Sequence, residues 1–382
     1  MKKILFICPR NPFSGRFSGD VIRAKKFINF LSRNNYVKVL SPNFEDTNKK
    51  ESKLSYHGFK DPNIFTKVIN ILISFFYFRP LQLGYFYSPQ IHEYINKNSD
   101  NYDLIFLQSF RTAQYISKRN KVKIVLDMGD ITSKNYNQTS KRLFFLNPLK
   151  IVYFIEGLFL ERYERFCFNR FDKILLFSKK EISSLQINDK KKVKQILFGV
   201  DKIKNKFRFN KKNYKIIFVG NIKYAPNRDA CYEFSNNILP KISKIDPSIE
   251  FHILGEISKI DKLILSRKKK VKVLGKINNL DTHLDNVICG LANLKISSGI
   301  QTKLLTYMSY GLPSICSRQV IENFDAIKES KIFTYKNNNE MIKLIFKCKK
   351  NKKFSLDVSK RSLKTIKKFK WDKILPSLNK II

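Results

Sequence analysis

Two tandem doubly wound α/β domains are the architecture this sequence predicts, and three observations predict it. Short apolar runs alternate with helical patterns along the chain, the signature of parallel strands joined by helical crossovers. The alternation breaks at residues 202–213 (KIKNKFRFNKKN), where charge and asparagine take over, and it restarts at Tyr214. The length, 382 residues, exceeds what one ordinary core encloses.

The elements follow in order. Residues 4–8 (ILFIC) form a continuous apolar run and read as a buried strand. A loop with Gly15 and Gly19 comes next, then a helix with Ala24, Phe27, Ile28 and Leu31 on one face, then a strand at 37–40. That is one βαβ unit, which implies a parallel sheet. Further strands are expected at 103–107, 123–127, 172–177 and 193–198, with a long helix over 151–168. The second series opens with a strand at 215–219 and Gly220-Asn221, followed by a helix over 227–243 that lines up Ala230, Phe234, Ile238 and Ile242. Its later strands are expected at 250–254, 271–274, 291–296, 314–316 and 331–333. The expected boundaries are 1–201 for the first domain, 202–213 for the linker, 214–365 for the second domain and 366–382 for a C-terminal helix returning to the first. Ligands of such folds sit at the carboxyl ends of the strands, so the expected site is a cleft between the domains.

Composition narrows the function. At 43% hydrophobic residues the chain is no disordered protein. Its six cysteines are scattered, lack any CxxC pair and sit in apolar runs, as buried thiols of a reduced compartment do. The four histidines have no zinc-like spacing, so no metal and no cofactor are expected. Lys+Arg of 74 against Asp+Glu of 31 leaves a net charge of +43. Nucleic acid, an anionic membrane surface and a biased composition all fit that number. The lysines are spread over the whole length without a basic tail, which disfavours nucleic acid. Only five apolar residues precede Pro9, too few for a signal peptide. The most apolar window, 68–78, contains Asn70 and Ser74 and falls short of the ~20 residues that span a bilayer. A cytoplasmic protein is expected, peripheral on the inner membrane face if the run at 75–80 (FFYFRP) and nearby lysines rest on lipid; core packing of those aromatics is the alternative.

The most informative stretch is 297–313, SSGIQTKLLTYMSYGLP. Serines and Gly299 offer free backbone N–H groups at a helix start, where the helix dipole favours an anion. Ile300, Leu304, Leu305 and Met308 give the helix an apolar face, and Gly311 with Pro313 ends it. With Lys303 one turn in, such a loop suits a diphosphate.

The ordered motifs resemble the nucleotide-sugar-dependent glycosyltransferases of the GT-B fold, in particular the large retaining family that builds bacterial surface polysaccharides. Residues 217–230 (IFVGNIKYAPNRDA) look like that family's strand–glycine–helix opening of the donor domain. FHILG at 251–255 and VKVLG at 271–275 resemble its next two strand–glycine turns, and 298–313 is similar to its SGIQ-type donor signature. LDMGDI at 126–131 and LFGVD at 197–201 resemble acceptor-domain turns, and Trp371-Asp372 resembles the last helix.

The resemblance implies two Rossmann-like domains facing a central cleft, and sugar transfer with retention from a nucleoside diphosphate sugar to a glycan or lipid-linked acceptor, without a metal. It places the donor on Gly220, Asn221, Gly275, Ser298, Gly299, Ile300, Gln301, Lys303 and Thr306. Lys303 would meet the phosphates as a point charge; a plain surface lysine is the alternative. Gly220 would allow close approach of the donor, or serve only a tight turn. Relatives often carry an arginine where Asn221 stands. Asp127 and Asp130 would orient an acceptor hydroxyl or act as base, with helix capping as the other reading of Asp130. Gly19, Gln108 and Arg111 complete the acceptor side. One departure stands out: where the family's better-known pattern has two glutamates, this chain has Ser298 and Thr306. Threonine offers a ribose one hydrogen-bonding group in place of a bidentate carboxylate. A binding subunit without turnover and, further off, a nucleotide-sugar 2-epimerase are the rival readings.

Overall fold

A computed structural model describes residues 1–14, 18–43, 53–116, 122–187, 190–277, 279–297, 301–322 and 333–382. The chain divides into two compact units, Met1–Leu197 with Ile374–Ile382, and Phe198–Lys373.

The first unit is built on β1 (Lys3–Ile7), β2 (Tyr36–Pro42), β3 (Leu54–Phe59), β4 (Leu104–Gln108), β5 (Lys123–Gly129), β6 (Lys173–Leu176) and β7 (Val193–Gln195). They form one parallel sheet in the order β3-β2-β1-β4-β5-β6-β7. Ile4 to Ile7 and all of β4 are buried, as expected of central strands covered on both faces. In register, Ile4 faces Val37 on one side and Leu104 on the other. The helices used below are α1 (Gly19–Leu31), α2 (Ile64–Phe76), α3 (Thr132–Arg142) and α4 (Leu149–Arg170).

The second unit is built on β8 (Lys215–Val219), β9 (Glu250–Leu254), β10 (Val271–Gly275), β11 (Val287–Ala292), β12 (Ser314–Ser317) and β13 (Phe333–Tyr335), all parallel, in the order β10-β9-β8-β11-β12-β13. Its helices include α5 (Ala225–Glu233), α6 (Thr302–Ser309) and α7 (Lys352–Ile366). The strand order reverses between β1 and β4 in one sheet and between β8 and β11 in the other. Such reversal points open a crevice at the carboxyl ends of the strands.

Several elements differ from expectation for identifiable reasons. The strand expected at 291–296 runs instead over Val287–Ala292, entirely buried. Gly290 lowers strand propensity there, yet it is required: a Cβ on it would lie 2.6 Å from the Tyr307 ring. The strand expected at 331–333 is Phe333–Tyr335, residues 331–332 lying outside the described ones. The edge strand β3 escapes notice because its residues are only half buried and form no apolar run. The helix expected over 227–243 begins at Ala225 and widens into a π turn at Phe234–Ile238, just before Pro240 withdraws a backbone donor. Residues beyond Ile366 form short turns rather than one helix, because extended Lys370 pairs with Val200. Residues 202–213 run along the second unit: Lys204 N–H bonds Ser309 O at 2.8 Å, Phe207 N–H bonds Tyr310 O at 3.0 Å, and the Phe207 ring is buried there.

Gly255 shows how tightly the β8 and β9 ends pack. Its φ is +138°, and a Cβ there would fall 1.8 Å from the Gly220 carbonyl oxygen. We expect Gly255→Ala to destabilise the second unit by about 3 kcal/mol or more, read as a lowered denaturant midpoint. An unchanged midpoint would show that the two turns separate freely.

Candidate functional site

The carboxyl end of β8 and the start of α6 meet in the second unit. Val219 ends β8, and its N–H donates to the Tyr307 hydroxyl at 2.8 Å; that hydroxyl donates onward to Leu291 O on β11 at 3.1 Å. Lys303 lies one turn earlier on the same face of α6, an i, i+4 relation. It is buried, and its ammonium donates to Asn227 Oδ1 at 2.5 Å and lies 4.3 Å from the centre of the Phe218 ring. Asn227 in turn donates to Asn221 O at 2.8 Å, so the strand-end turn, α5 and α6 share one polar network. Lys303 reaches close to Gly220: a Cβ on Gly220 would meet Lys303 Cε at 3.4 Å. No carboxylate pairs with Lys303 among the described residues. Burial alone drives its ammonium down to about 7.

The other residues proposed from sequence for this side are placed as follows. Gly220 donates its N–H to Leu254 O at 2.9 Å, and Asn221 Oδ1 accepts from Lys223 N at 3.0 Å. Gly275, at φ +72°, ends β10 at the sheet edge beside open space, and its carbonyl accepts from Gly255 N–H at 2.7 Å. Gln301 is the N-cap residue of α6 and its side chain donates to Ser297 Oγ at 3.1 Å. Thr306 bonds its hydroxyl back to Thr302 O at 3.1 Å. Ser298, Gly299 and Ile300 lie outside the described residues.

In the first unit, residues proposed from sequence gather at the ends of β4 and β5. Asp127 is paired. Arg23 of α1 holds it bidentately, Nε at 2.7 Å and Nη2 at 2.9 Å, with both side chains buried, and Arg23 Nη1 donates to Leu197 O at 2.8 Å. That pairing gives Asp127 a structural part, holding α1 to the end of β5. Gln108 donates to Asp20 O at 2.9 Å, pinning the first turn of α1, which opens at Gly19. Arg111 bonds Gln82 Oε1 and Ser109 Oγ and stacks on Phe86 and Phe110. Burial, then the nearby Arg10 charge, lowers its guanidinium to about 10. Asp20 pairs with Arg10; burial opposes ionisation, but that guanidinium outweighs it and holds the carboxyl below its ordinary range.

Asp130 follows β5. The N-cap residue of α3 is Ile131, one position later. The capping comes from elsewhere, by carboxylates the sequence does not single out. Glu164 on α4 accepts from Ser133 N at 3.1 Å and Ser133 Oγ at 2.5 Å. Burial pushes Glu164 up to about 7. Glu181 is pushed up to about 8, by burial and then by the charge of Asp130. Among the described residues, no group of three or more His, Cys, Asp and Glu side chains is arranged to hold a metal ion. All six cysteines are buried free thiols.

Residues 213–347 match the protein family described as Glycosyl transferases group 1. No curated protein matches the chain. Among solved structures, sucrose-phosphate synthase from Thermosynechococcus elongatus superposes with a TM-score of 0.75 at 12% identity, covering 100% of this chain and 98% of that one. HepE from Anabaena, solved with UDP and glucose, gives 0.67 at 11% identity over 100% and 99% of the chains. WaaG, a glycosyltransferase involved in lipopolysaccharide biosynthesis, gives 0.67 at 11% identity over 99% of both. The fold is GT-B. In GT-B terms, each of the two parallel sheets is one Rossmann-like domain, and the matched family segment spans β8 to α6 and beyond.

Two expectations follow from the first GT-B domain. Asp127→Ala strands a buried guanidinium and should lower stability by about 3–5 kcal/mol in chemical denaturation. Glu164 and Glu181 hold their protons more tightly folded than unfolded, so their stabilisation is complete at acid pH and declines as pH rises. The melting temperature should fall between about pH 5 and pH 8. Glu181→Gln should flatten that decline, and a melting temperature that instead rises over this range would refute the assignment.

Proposed function

We propose that the chain is a glycosyltransferase that moves a sugar, with retention, from a nucleoside diphosphate sugar to a glycan or lipid-linked acceptor in surface polysaccharide synthesis. The observation that carries the reading is Lys303: a buried ammonium without a carboxylate partner among the described residues, beside Gly220 at the strand-order reversal of a domain matching Glycosyl transferases group 1. HepE, of the same fold, was solved with UDP and glucose, which supports a nucleotide-sugar donor.

In this reading the donor diphosphate lies between the Gly220-Asn221 turn and the N-terminus of α6. Amides of Ser298, Gly299 and Ile300, with the helix dipole, meet one phosphate. Lys303 swings from Asn227 to the other and takes up the charge that develops as the diphosphate leaves, so the departing group is stabilised without a metal ion. Gln301 and Thr306 border the nucleoside; Gly275, on the edge strand, lines its outer side. On the acceptor domain, Asp130 orients the attacking hydroxyl, while Arg111, Gln108 and Gly19 shape the wall of the acceptor site. Thr306, already bonded to Thr302 O, gives a ribose weak purchase. That observation favours the second reading, a binding subunit without turnover.

A screen of UDP- and GDP-sugars by nucleotide release tests both. We expect turnover with one donor and a loss of about 10²–10³ in kcat/KM for Lys303→Ala. An anion restores the ammonium, so donor binding takes up a proton above about pH 7, and affinity should weaken by up to about tenfold per pH unit there. Lys303→Arg, charged throughout, should lose that slope. Turnover unaffected by Lys303→Ala would overturn the phosphate assignment. Nucleotide binding without release would establish the binding subunit.

A further inference from the structure

The helix α2 is inside-out. Its buried residues are Lys67 and Ser74, while Ile64, Phe65 and Phe76 are 75%, 71% and 73% exposed and Val68, Ile69, Leu72, Ile73 and Phe75 are exposed beside them. The inward polar line is a settled arrangement. Lys67 pairs with Asp61 at 2.6 Å, and Gly84 packs so tightly on the Asn70 carbonyl that a Cβ there would lie 2.2 Å away. The first half of α4 repeats the inversion. Glu156 and Gly157 face in, the carboxylate accepting from Leu81 N at 2.6 Å, while Ile151, Val152, Phe154 and Leu158 face out. Just before α4, Phe145 and Leu146 are 71% and 70% exposed. The two helices share one face, because Phe159 contacts Phe75 and Phe78 at ring-centre distances of 6.3 and 6.0 Å.

Scattered exposed apolar residues are normal, but a contiguous face of this kind marks a binding surface. Charge selects the occupant. Across residues 64–78 and 144–158, which carry the face, the sequence has a single acidic residue, Glu156, and it is buried. Arg79, Lys141 and Arg142 are exposed along it. A second copy of a chain carrying +43 would bring like charges together. No helix among the described residues is long and apolar enough to cross a membrane, so an apolar face on helices of this kind lies in the interface plane.

We propose that α2, the Phe144–Leu146 tip and the first half of α4 form a docking surface for an anionic lipid bilayer, with the apolar side chains entering the headgroup boundary and the cations on the lipid phosphates. The claim does not rest on the glycosyltransferase reading and is tested without a donor. The full chain is floated with phosphatidylcholine vesicles with and without phosphatidylglycerol. Binding should require phosphatidylglycerol, weaken as salt is raised, and fall about tenfold or more for Phe76→Asp and for Phe145→Asp/Leu146→Asp. These side chains are already in water, so the variants should keep the wild-type melting temperature. Equal binding to neutral vesicles, or none to either, overturns the proposal. So does a dimer in light scattering that Phe76→Asp dissolves.

Discussion

The bond from Val219 N–H to the Tyr307 hydroxyl is the constraint on which the second domain's site depends. At the strand-order reversal β8 and β11 part, and a buried amide left there without a partner costs about 1–3 kcal/mol. Tyr307 supplies the acceptor, and its hydroxyl donates in turn to Leu291 O. Its ring needs room against β11, and Gly290 gives it. One side chain thereby ties α6 to both strands and fixes the helix's rotation. Lys303, four residues earlier, is then carried over the Phe218 ring and beside Gly220. The position of the lysine is a consequence of how the sheet finishes its hydrogen bonds.

The first domain solves a different problem by a similar device. Its strand ends and helix starts expose amides and cations that water does not reach, and carboxylates meet them. Asp127 meets Arg23, and Glu164 meets the opening turn of α3. This separates structural carboxylates from a functional candidate. Asp127 faces α1 with both oxygens occupied, whereas Asp130, directly after β5, adds to the rise of Glu181 and opposes the fall of Arg111.

Sequence was a good guide where burial is continuous. β8 and β9 lie where their apolar runs end, and β1, β2, β4 and β5 lie within a residue or two of expectation. It failed where tertiary contact decides. Nothing local says that Gly290 belongs in a strand, since the reason is a tyrosine seventeen residues on. Arg23 and Asp127 are 104 positions apart, and neither reveals its partner. The helix-start motif pointed to Lys303, but its burial and its bond to Asn227 come from α5, on another crossover. Asn227 carried a signal that was available: a polar residue after Pro226, in the first turn of a helix beginning at a strand end.

The departures from ordinary burial share a logic. Two charges turned inward on α2 and α4 are matched, Lys67 by Asp61 and Glu156 by the Leu81 and Gln82 amides, so little is lost by burying them. Two mismatches stand apart from these pairs: apolar side chains turned toward solvent on α2 and α4, and in the other domain a buried ammonium held by a neutral amide. A chain selected for stability alone would place leucine at position 303 and lysine along the outer face of α2. Each exchange would repair a local mismatch, and each would erase one of the two surfaces proposed above to take a phosphate or a lipid. The mismatches are therefore better guides to ligands than the well-packed strand ends around them.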